Sequence, residues 1–174
     1  MAEIIKTYKE TLPAVRLIGT RYGNNDRDEY GGYGGKWGEW FQSGQESSLS
    51  NLHKQFGKDM DGSYLGFMRC NNTDDGFEYW IGMFFPQDTA VPEGYDFLDV
   101  DGGEVGVCWI KGSHDDGSIY GMHGDCAEAL KKNNMGDLIR DGYMYSFERY
   151  SCPRFTEKDS DGNVILDYGI YLGK

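Results

Sequence analysis

The sequence predicts an α+β fold of two successive β-α-β-β units, with helices on one side of a mainly antiparallel sheet. Three observations predict it. Short apolar and aromatic runs, which favour extended backbone, alternate with polar turn segments. Two other stretches carry apolar residues at three- and four-residue steps, as amphipathic helices do. Finally, the order strand, helix, strand, strand occurs twice along the 174 residues.

The first predicted unit begins after Pro13. An apolar run gives its first strand, and a glycine- and aspartate-rich loop without periodicity follows. A stripe from Trp37 to Phe56 then predicts one helix that ends at Gly57. Two further runs predict strands joined by the polar hairpin segment 71–76. The predicted strand, helix and two strands cover residues 14–20, 37–56, 63–70 and 77–85.

The second unit repeats this order within a single domain, residues 1–174, whose pseudo-repeats span about 3–90 and 95–174. Its helical stripe begins after Gly117 and ends near Asn133. The predicted strand, helix and two strands cover residues 104–112, 118–133, 145–150 and 164–172. Some residues also repeat at corresponding positions, because Phe-Met-Arg at 67–69 matches Phe-Glu-Arg at 147–149.

Glu148 is the residue of interest in this repeat, because it takes the place of Met68. Alternation along a strand puts Glu148 on the same face as Ser146 and Tyr150. A carboxylate on a solvated face needs no explanation, and a cross-strand cation could pair with it there. If it points instead into an aromatic pocket, it needs a partner, because losing its hydration is costly. The sequence leaves both alternatives open.

The composition excludes several classes of function. Seventeen basic against 29 acidic side chains give a formal net charge of -12, which disfavours direct binding of nucleic acid and favours cationic ligands or basic partners. No segment has the apolar length of a membrane span, and the start lacks the apolar core of a signal peptide. We therefore expect a cytoplasmic protein whose four cysteines are reduced.

Neither a metal nor a cofactor is predicted. The three histidines, His53, His114 and His123, show no ligand spacing and are interpreted as structural. The segment 159–163 matches only the beginning of a calcium loop and is interpreted as a hairpin turn. The glycines of 31–35 are not expected to lead into a helix as those of a phosphate-binding loop do.

Five motifs, taken in order, resemble the GyrI-like small-molecule-binding domain, which is also the effector-binding module of AraC- and MerR-type multidrug regulators. They are FEYWIGM, VPEG, GGEVGVCWIKG, YSFERY and LDYGIYL. The resemblance covers nearly the whole chain and implies a tandem β-α-β-β fold of the SHS2 type, with a ligand pocket between the two halves. In such domains a glutamate of an E-x-Y strand lies in the pocket, and Glu148 and Tyr150 match that motif. Because the motifs take up nearly the whole chain, we expect no helix-turn-helix domain and a protein that acts alone.

Four further aromatic residues are candidates for ligand binding, because their rings could stack on a flat ligand and attract a cation. They are Tyr79, Trp80, Trp109 and Tyr168. Core packing is the alternative for Tyr79, Trp80 and Trp109, and the role of Tyr168 on the last strand is open.

Three functions compete at this point. The first is a stand-alone module that binds lipophilic, often cationic aromatic compounds. The second, implied by the resemblance, is a hydrolase of cyclopropane-bearing cytotoxins in which Glu148 acts as general base or acid. The third, also implied by the resemblance, is an interaction protein that inhibits DNA gyrase through its acidic surface. The residues favour the first.

Overall fold

The computed structural model, which describes residues 1–71, 73 and 76–173, shows the α+β fold that the sequence predicts. Within those residues the α-helices are α1 (Gly34–Gln42), α2 (Gln45–His53) and α3 (His123–Lys132). Short 3₁₀ segments lie at Asn24–Asp26, Lys54–Asp59 and Ser118–Gly121. The strands are β1 (Glu3–Leu12), β2 (Val15–Tyr22), β3 (Tyr64–Cys70), β4 (Glu78–Pro86), β5 (Asp96–Val100), β6 (Gly103–Gly112), β7 (Met144–Tyr150) and β8 (Val164–Tyr171).

The backbone forms two compact units. One unit, which we call the Glu148 unit, consists of Met1–Pro13 and Gly102–Lys174. The other, which we call the Met68 unit, consists of Ala14–Asp101. The pseudo-repeat boundaries near residues 3–90 and 95–174 stay a prediction.

The Glu148 unit contains the predicted series β6-α3-β7-β8 with β1 added at one edge. Its strands lie in the order β1-β6-β8-β7, and all neighbours are antiparallel. Helix α3 packs on one face of this sheet, where the Leu130 side chain lies over Gly106. On the same face the Cys108 thiol lies 3.7 Å from the Cys126 carbonyl oxygen. Part of the core of the unit therefore lies between α3 and the sheet, where Cys108, Cys126 and Leu130 are fully buried, and the opposite face of the sheet also carries fully buried residues such as Val107.

The Met68 unit contains the corresponding series β2-α1-α2-β3-β4, with β5 added at one edge. Its strands lie in the order β5-β2-β4-β3, again with antiparallel neighbours. In both units the second strand of the closing hairpin lies between the other two repeat strands. The repeated element order predicted from the sequence is thus confirmed.

Two strands, β1 and β5, are not among the predicted elements. Strand β1 has the sequence EIIKTYKETL, in which charged and apolar residues are mixed and most side chains are exposed or half-buried. It pairs with β6, about a hundred positions away, and a local sequence pattern cannot indicate such a distant partner. Strand β5 is short and carries two aspartates, residues that are uncommon in strands.

The single helix predicted over residues 37–56 is instead two α-helices and a 3₁₀ segment. Helix α1 also begins at Gly34, so the expectation that the glycines of 31–35 do not lead into a helix is wrong. The break lies at Gly44, whose φ of +78° is left-handed and cannot continue a right-handed helix. The apolar stripe continues across this break, which explains why the periodicity suggested one helix. The polar segment 71–76, predicted to be a hairpin turn, lies partly outside the described residues.

None of the helices in the described ranges has the length and apolar character needed to cross a lipid bilayer.

Candidate functional site

Glu148 lies in the middle of β7, on the face of the sheet that α3 covers. Its register partner on β8 is Tyr168, which in turn pairs with Cys108 on β6 beneath the helix. Within its unit the carboxylate points toward the first residue of α3. The pocket between the two halves that the resemblance implies stays a prediction. Only 5% of Glu148 is exposed. The carboxylate is therefore largely removed from water.

Both carboxylate oxygens of Glu148 accept hydrogen bonds from side chains. The Nε2–H group of His123 donates to Oε1 at 2.8 Å, and the Tyr150 hydroxyl donates to Oε2 at 2.7 Å. Tyr150 comes from the same strand two residues later, so the alternation of β7 puts both side chains on one face. His123 comes from the first turn of α3. These two donors offset part of the cost of desolvating the carboxylate.

The imidazole of His123 also stacks on the ring of Tyr168. The ring centroids are 4.3 Å apart, and the ring planes differ by 11°. His123 thus contacts both members of the cross-strand pair, the carboxylate of Glu148 and the aromatic face of Tyr168. Its side chain is 34% exposed, whereas Tyr168 is 4% exposed. The histidine is the solvent-facing member of this group.

Further aromatic rings surround these residues. Burial, and to a smaller degree the Glu148 carboxylate, raise the pKa of the Tyr120 hydroxyl well above its usual range. Tyr120 bonds through its hydroxyl to Nδ1 of His114 at 2.5 Å. The ring of Phe155 packs edge-on against Tyr150 at 4.7 Å and against His114 at 5.9 Å. We call the set the Glu148 cluster: His114, Tyr120, His123, Glu148, Tyr150, Phe155 and Tyr168.

Trp109, a predicted ligand-binding residue, lies on the other face of the same sheet, because it alternates with Cys108 along β6. Its half-buried ring lies between two cations. The Lys6 ammonium is 4.4 Å and the Arg154 guanidinium 4.8 Å from the ring centroid. The Tyr8 ring meets it edge-on at 6.2 Å. The structure therefore does not bring Trp109 together with Glu148.

A buried ion network occupies this second face and fixes the register of Glu148. Asp167 is fully buried and accepts hydrogen bonds from Arg149 and from Arg154. Arg149 also pairs with Glu10 at 2.8 Å. A one-residue slip of β7 would turn Arg149 toward α3 and Glu148 toward the opposite face, so this network favours the register that keeps Glu148 under α3.

Tyr79 and Trp80 lie in the Met68 unit. The Tyr79 ring stacks on Tyr33, with centroids 4.1 Å apart and planes 3° apart. Its hydroxyl accepts a hydrogen bond from Trp37 Nε1 at 2.9 Å. Trp80 is 3% exposed and points to the opposite face of β4.

The strand register explains why similar tripeptides occur at 67–69 and 147–149. Met68 pairs with Tyr79, as Glu148 pairs with Tyr168. Each unit therefore has a cross-strand tyrosine whose ring is covered by another ring. In the Met68 unit the cover is Tyr33, and in the Glu148 unit it is His123.

Four residues of the cluster were not predicted as site residues from the sequence: His114, Tyr120, His123 and Phe155. A signal for His123 exists in the sequence, because it lies three positions before Cys126 and four after Ile119, on the apolar stripe. A polar side chain on the buried stripe of a helix usually has a polar partner. The search for metal-ligand spacing could not find it, since its partner is a carboxylate 25 positions away. In the described part of the chain, no three His, Cys, Asp or Glu side chains are grouped to hold a metal ion.

Comparisons with known proteins agree with this fold. A comparison with curated proteins finds no match. Among solved structures, the chain resembles a Staphylococcus aureus MU50 protein described as a bacterial transcription regulation protein, with a TM-score of 0.66, 14% identity and coverage of 97% of this chain and 99% of that one. SAV2435, solved bound to tetraphenylphosphonium, gives a TM-score of 0.66, 15% identity and coverage of 96% and 93%. An integron cassette protein from Vibrio cholerae gives 0.50, 12% identity and coverage of 98% and 97%.

At these identities the solved structures show a shared fold. The family itself comes from a sequence model, that of the GyrI-like small molecule binding domain, which matches residues 6–165. That match covers most of the chain and both units, so the protein belongs to the family of GyrI-like small-molecule-binding domains.

Proposed function

We propose that this protein binds a lipophilic or aromatic cation at the Glu148 cluster. One observation carries the proposal: a carboxylate that is 5% exposed lies among aromatic rings. A carboxylate that has lost most of its hydration gains more from a cation than an exposed one does, because the surroundings screen the charges less. An apolar cation suits such a site, since it is itself weakly hydrated.

The aromatic rings add a second attraction. A cation held against the face of an aromatic ring gains about 0.5–2 kcal/mol, with the larger values where water is excluded. Tyr120, Tyr150 and Tyr168 supply such rings around the carboxylate. The net charge of -12 raises the local concentration of cations around the whole protein.

The bound ligand of SAV2435 supports the same class of compound. Tetraphenylphosphonium is an apolar aromatic cation, and the protein that holds it shares this fold at 15% identity.

Titration with N-methylquinolinium, a planar aromatic cation, tests the proposal. We expect micromolar affinity, which corresponds to about -8 kcal/mol. Glu148→Gln keeps the shape of the side chain and removes the charge, and should weaken binding roughly 10- to 100-fold, because two unit charges about 4 Å apart attract each other by about 1–4 kcal/mol. Glu104→Gln is the matched control, because Glu104 is a strand glutamate of the same unit whose side chain is 59% exposed. Equal affinities in both variants would contradict a charge-based role for Glu148.

A hydrolase is the second candidate, and the 2.8 Å bond between His123 Nε2 and Glu148 Oε1 is the observation that favours it. A histidine beside a carboxylate can take a proton from an attacking water, and such assistance accelerates a reaction by about 10²–10⁴-fold. Incubation with a cyclopropane-bearing electrophile, followed by mass spectrometry, should then give repeated turnover that Glu148→Gln largely removes. Capture of one equivalent without turnover would reject the hydrolase for that substrate.

A further inference from the structure

His123 already makes, within the chain, the two contacts that the proposed function assigns to a ligand. Its imidazole lies flat on Tyr168, with centroids 4.3 Å apart, and its Nε2–H group bonds to Glu148 at 2.8 Å. An aromatic nitrogen cation can make the same two contacts, because its planar ring can stack on an aromatic face while an in-plane N–H group donates to a carboxylate.

A ligand of this kind and His123 cannot occupy that position together. Oε1 of Glu148 and the outer face of Tyr168 are both covered by the imidazole, and the two residues are only 5% and 4% exposed. A ligand that reaches both must move the histidine aside. His123 is suited to moving, because it is the most exposed of the three and lies at the first residue of α3. Gly121 lies two residues before His123 and Gly124 follows it directly, and both glycines face open space.

The Met68 unit shows the contrasting arrangement. There Tyr79 is covered by Tyr33, which is 6% exposed and donates its hydroxyl proton to the Gly23 carbonyl oxygen at 2.9 Å. The cross-strand partner is Met68, which offers no charge. The cover in that unit is a buried uncharged ring, whereas the cover over Tyr168 is half-exposed and bonded to a carboxylate.

From this geometry we infer that the His123 ring occupies the position of the ligand and makes the contacts that the ligand makes when it binds. The ligand is then a planar cation with an in-plane N–H donor, such as an amidinium or a protonated nitrogen heterocycle. This inference rests on the proposed function and makes it narrower. A quaternary cation can match the charge of Glu148 but cannot replace the hydrogen bond that His123 donates. The histidine therefore acts as a specificity residue, because a ligand that restores both of its contacts displaces it at a lower cost than a ligand that restores only the charge.

His123→Ala with imidazole as the probe tests the inference. Truncation removes the ring and leaves a ring-sized space beside Tyr168, and such spaces bind molecules of matching shape. We expect millimolar imidazole to raise the melting temperature of His123→Ala and to leave that of wild type unchanged. The double variant His123→Ala/Glu148→Gln should lose the effect. Absence of any imidazole effect on a folded His123→Ala protein overturns the inference.

Affinity for two monovalent cations gives the second arm. Benzamidinium has in-plane N–H donors, and phenyltrimethylammonium has the same charge without any. We expect wild type to bind benzamidinium more tightly, and His123→Ala to gain on the order of tenfold for benzamidinium, the factor expected if the open state of wild type is about a tenth of the population. Equal affinity of wild type for both cations overturns the inference while leaving the proposed function intact. Failure of both cations and N-methylquinolinium to bind either protein rejects the two together.

Wild type itself provides a readout that needs no variant. The chain has three histidines, so ¹⁵N-labelled imidazole rings give few signals, and His53, which lies in the Met68 unit, serves as the reference. Saturation with benzamidinium should shift the His123 ring nitrogens strongly as they leave Glu148. Unchanged His123 signals at saturation contradict displacement.

Discussion

Replacing Asp167 with asparagine should destabilise the protein far more than the equivalent change in the Met68 unit. Asp167 is fully buried and accepts bonds of 2.6–3.1 Å from the guanidinium groups of Arg149 and Arg154. Asparagine fits the space but leaves two guanidinium groups without their shared carboxylate. Breaking a buried pair in this way costs about 3–5 kcal/mol.

The Met68 unit offers the matched control. Arg69 and Glu78 occupy the corresponding register positions and pair at 3.0 Å, but their side chains are 27% and 18% exposed. We expect Glu78→Gln to cost about 1 kcal/mol or less, because solvent screens a partly exposed pair.

Thermal and urea unfolding of both variants measure the difference. For a chain of this length about 2–4 °C accompanies each kcal/mol, so Asp167→Asn should lower the melting temperature by about 6–20 °C and Glu78→Gln by at most a few degrees. Equal losses in the two variants, or a loss below about 1 kcal/mol for Asp167→Asn, would refute the reasoning that this network holds the register of β7.

Two further predictions concern the backbone and acid stability. Gly44→Ala should cost about 1–2 kcal/mol, because φ at Gly44 is left-handed, whereas Gly38→Ala inside α1 should stabilise by about 0.5–1 kcal/mol; chemical denaturation distinguishes the two signs. The hydrogen bond from Lys111, and to a smaller degree those from backbone N–H groups, lower the pKa of Asp159 to about 2 in the folded state. The ionised carboxylate therefore stabilises the fold above the unfolded pKa of about 4, and this contribution is lost as pH falls toward 2. The melting temperature of Asp159→Asn should lie below that of wild type at pH 7, and the gap should close over that range; a gap that stays constant from pH 7 to pH 2 contradicts the assignment.

Much of the fold could be predicted because its central strands carry their own signals. Aromatic and β-branched runs identify β3, β4, β6, β7 and β8, and the stripe through Cys126 and Leu130 identifies α3. The edge strands β1 and β5 could not be predicted, since each is partly polar and gains its stability from pairing with a strand that follows or precedes it at a distance. Similarly, the apolar stripe at 37–56 reflects which side chains are buried, and it could not indicate the break at Gly44 because burial continues across that break.

The candidate site was predictable only along single strands. Alternation puts Glu148 and Tyr150 on one face, and the two side chains are bonded there. The contribution of His123 depends on how α3 crosses the sheet, which no spacing in the sequence encodes. The candidate role of Trp109 depends on which face of β6 binds a ligand, and the ring lies on the face opposite Glu148. Whether Tyr79, Trp80 and Trp109 contact a ligand stays a prediction.

The central claim, that the Glu148 carboxylate recognises positive charge, is tested most directly by a thermodynamic cycle with two isosteric ligands. N-methylquinolinium and 1-methylnaphthalene have the same shape and differ by one charge. Calorimetry on wild type and Glu148→Gln gives four binding free energies and hence the coupling between the ligand's charge and that of the side chain. The account predicts that wild type favours the cation over the neutral ligand by about 1.5–3 kcal/mol more than Glu148→Gln does, which lies within the attraction of about 1–4 kcal/mol between two unit charges about 4 Å apart. A coupling of zero, with both ligands weakened equally, would contradict it.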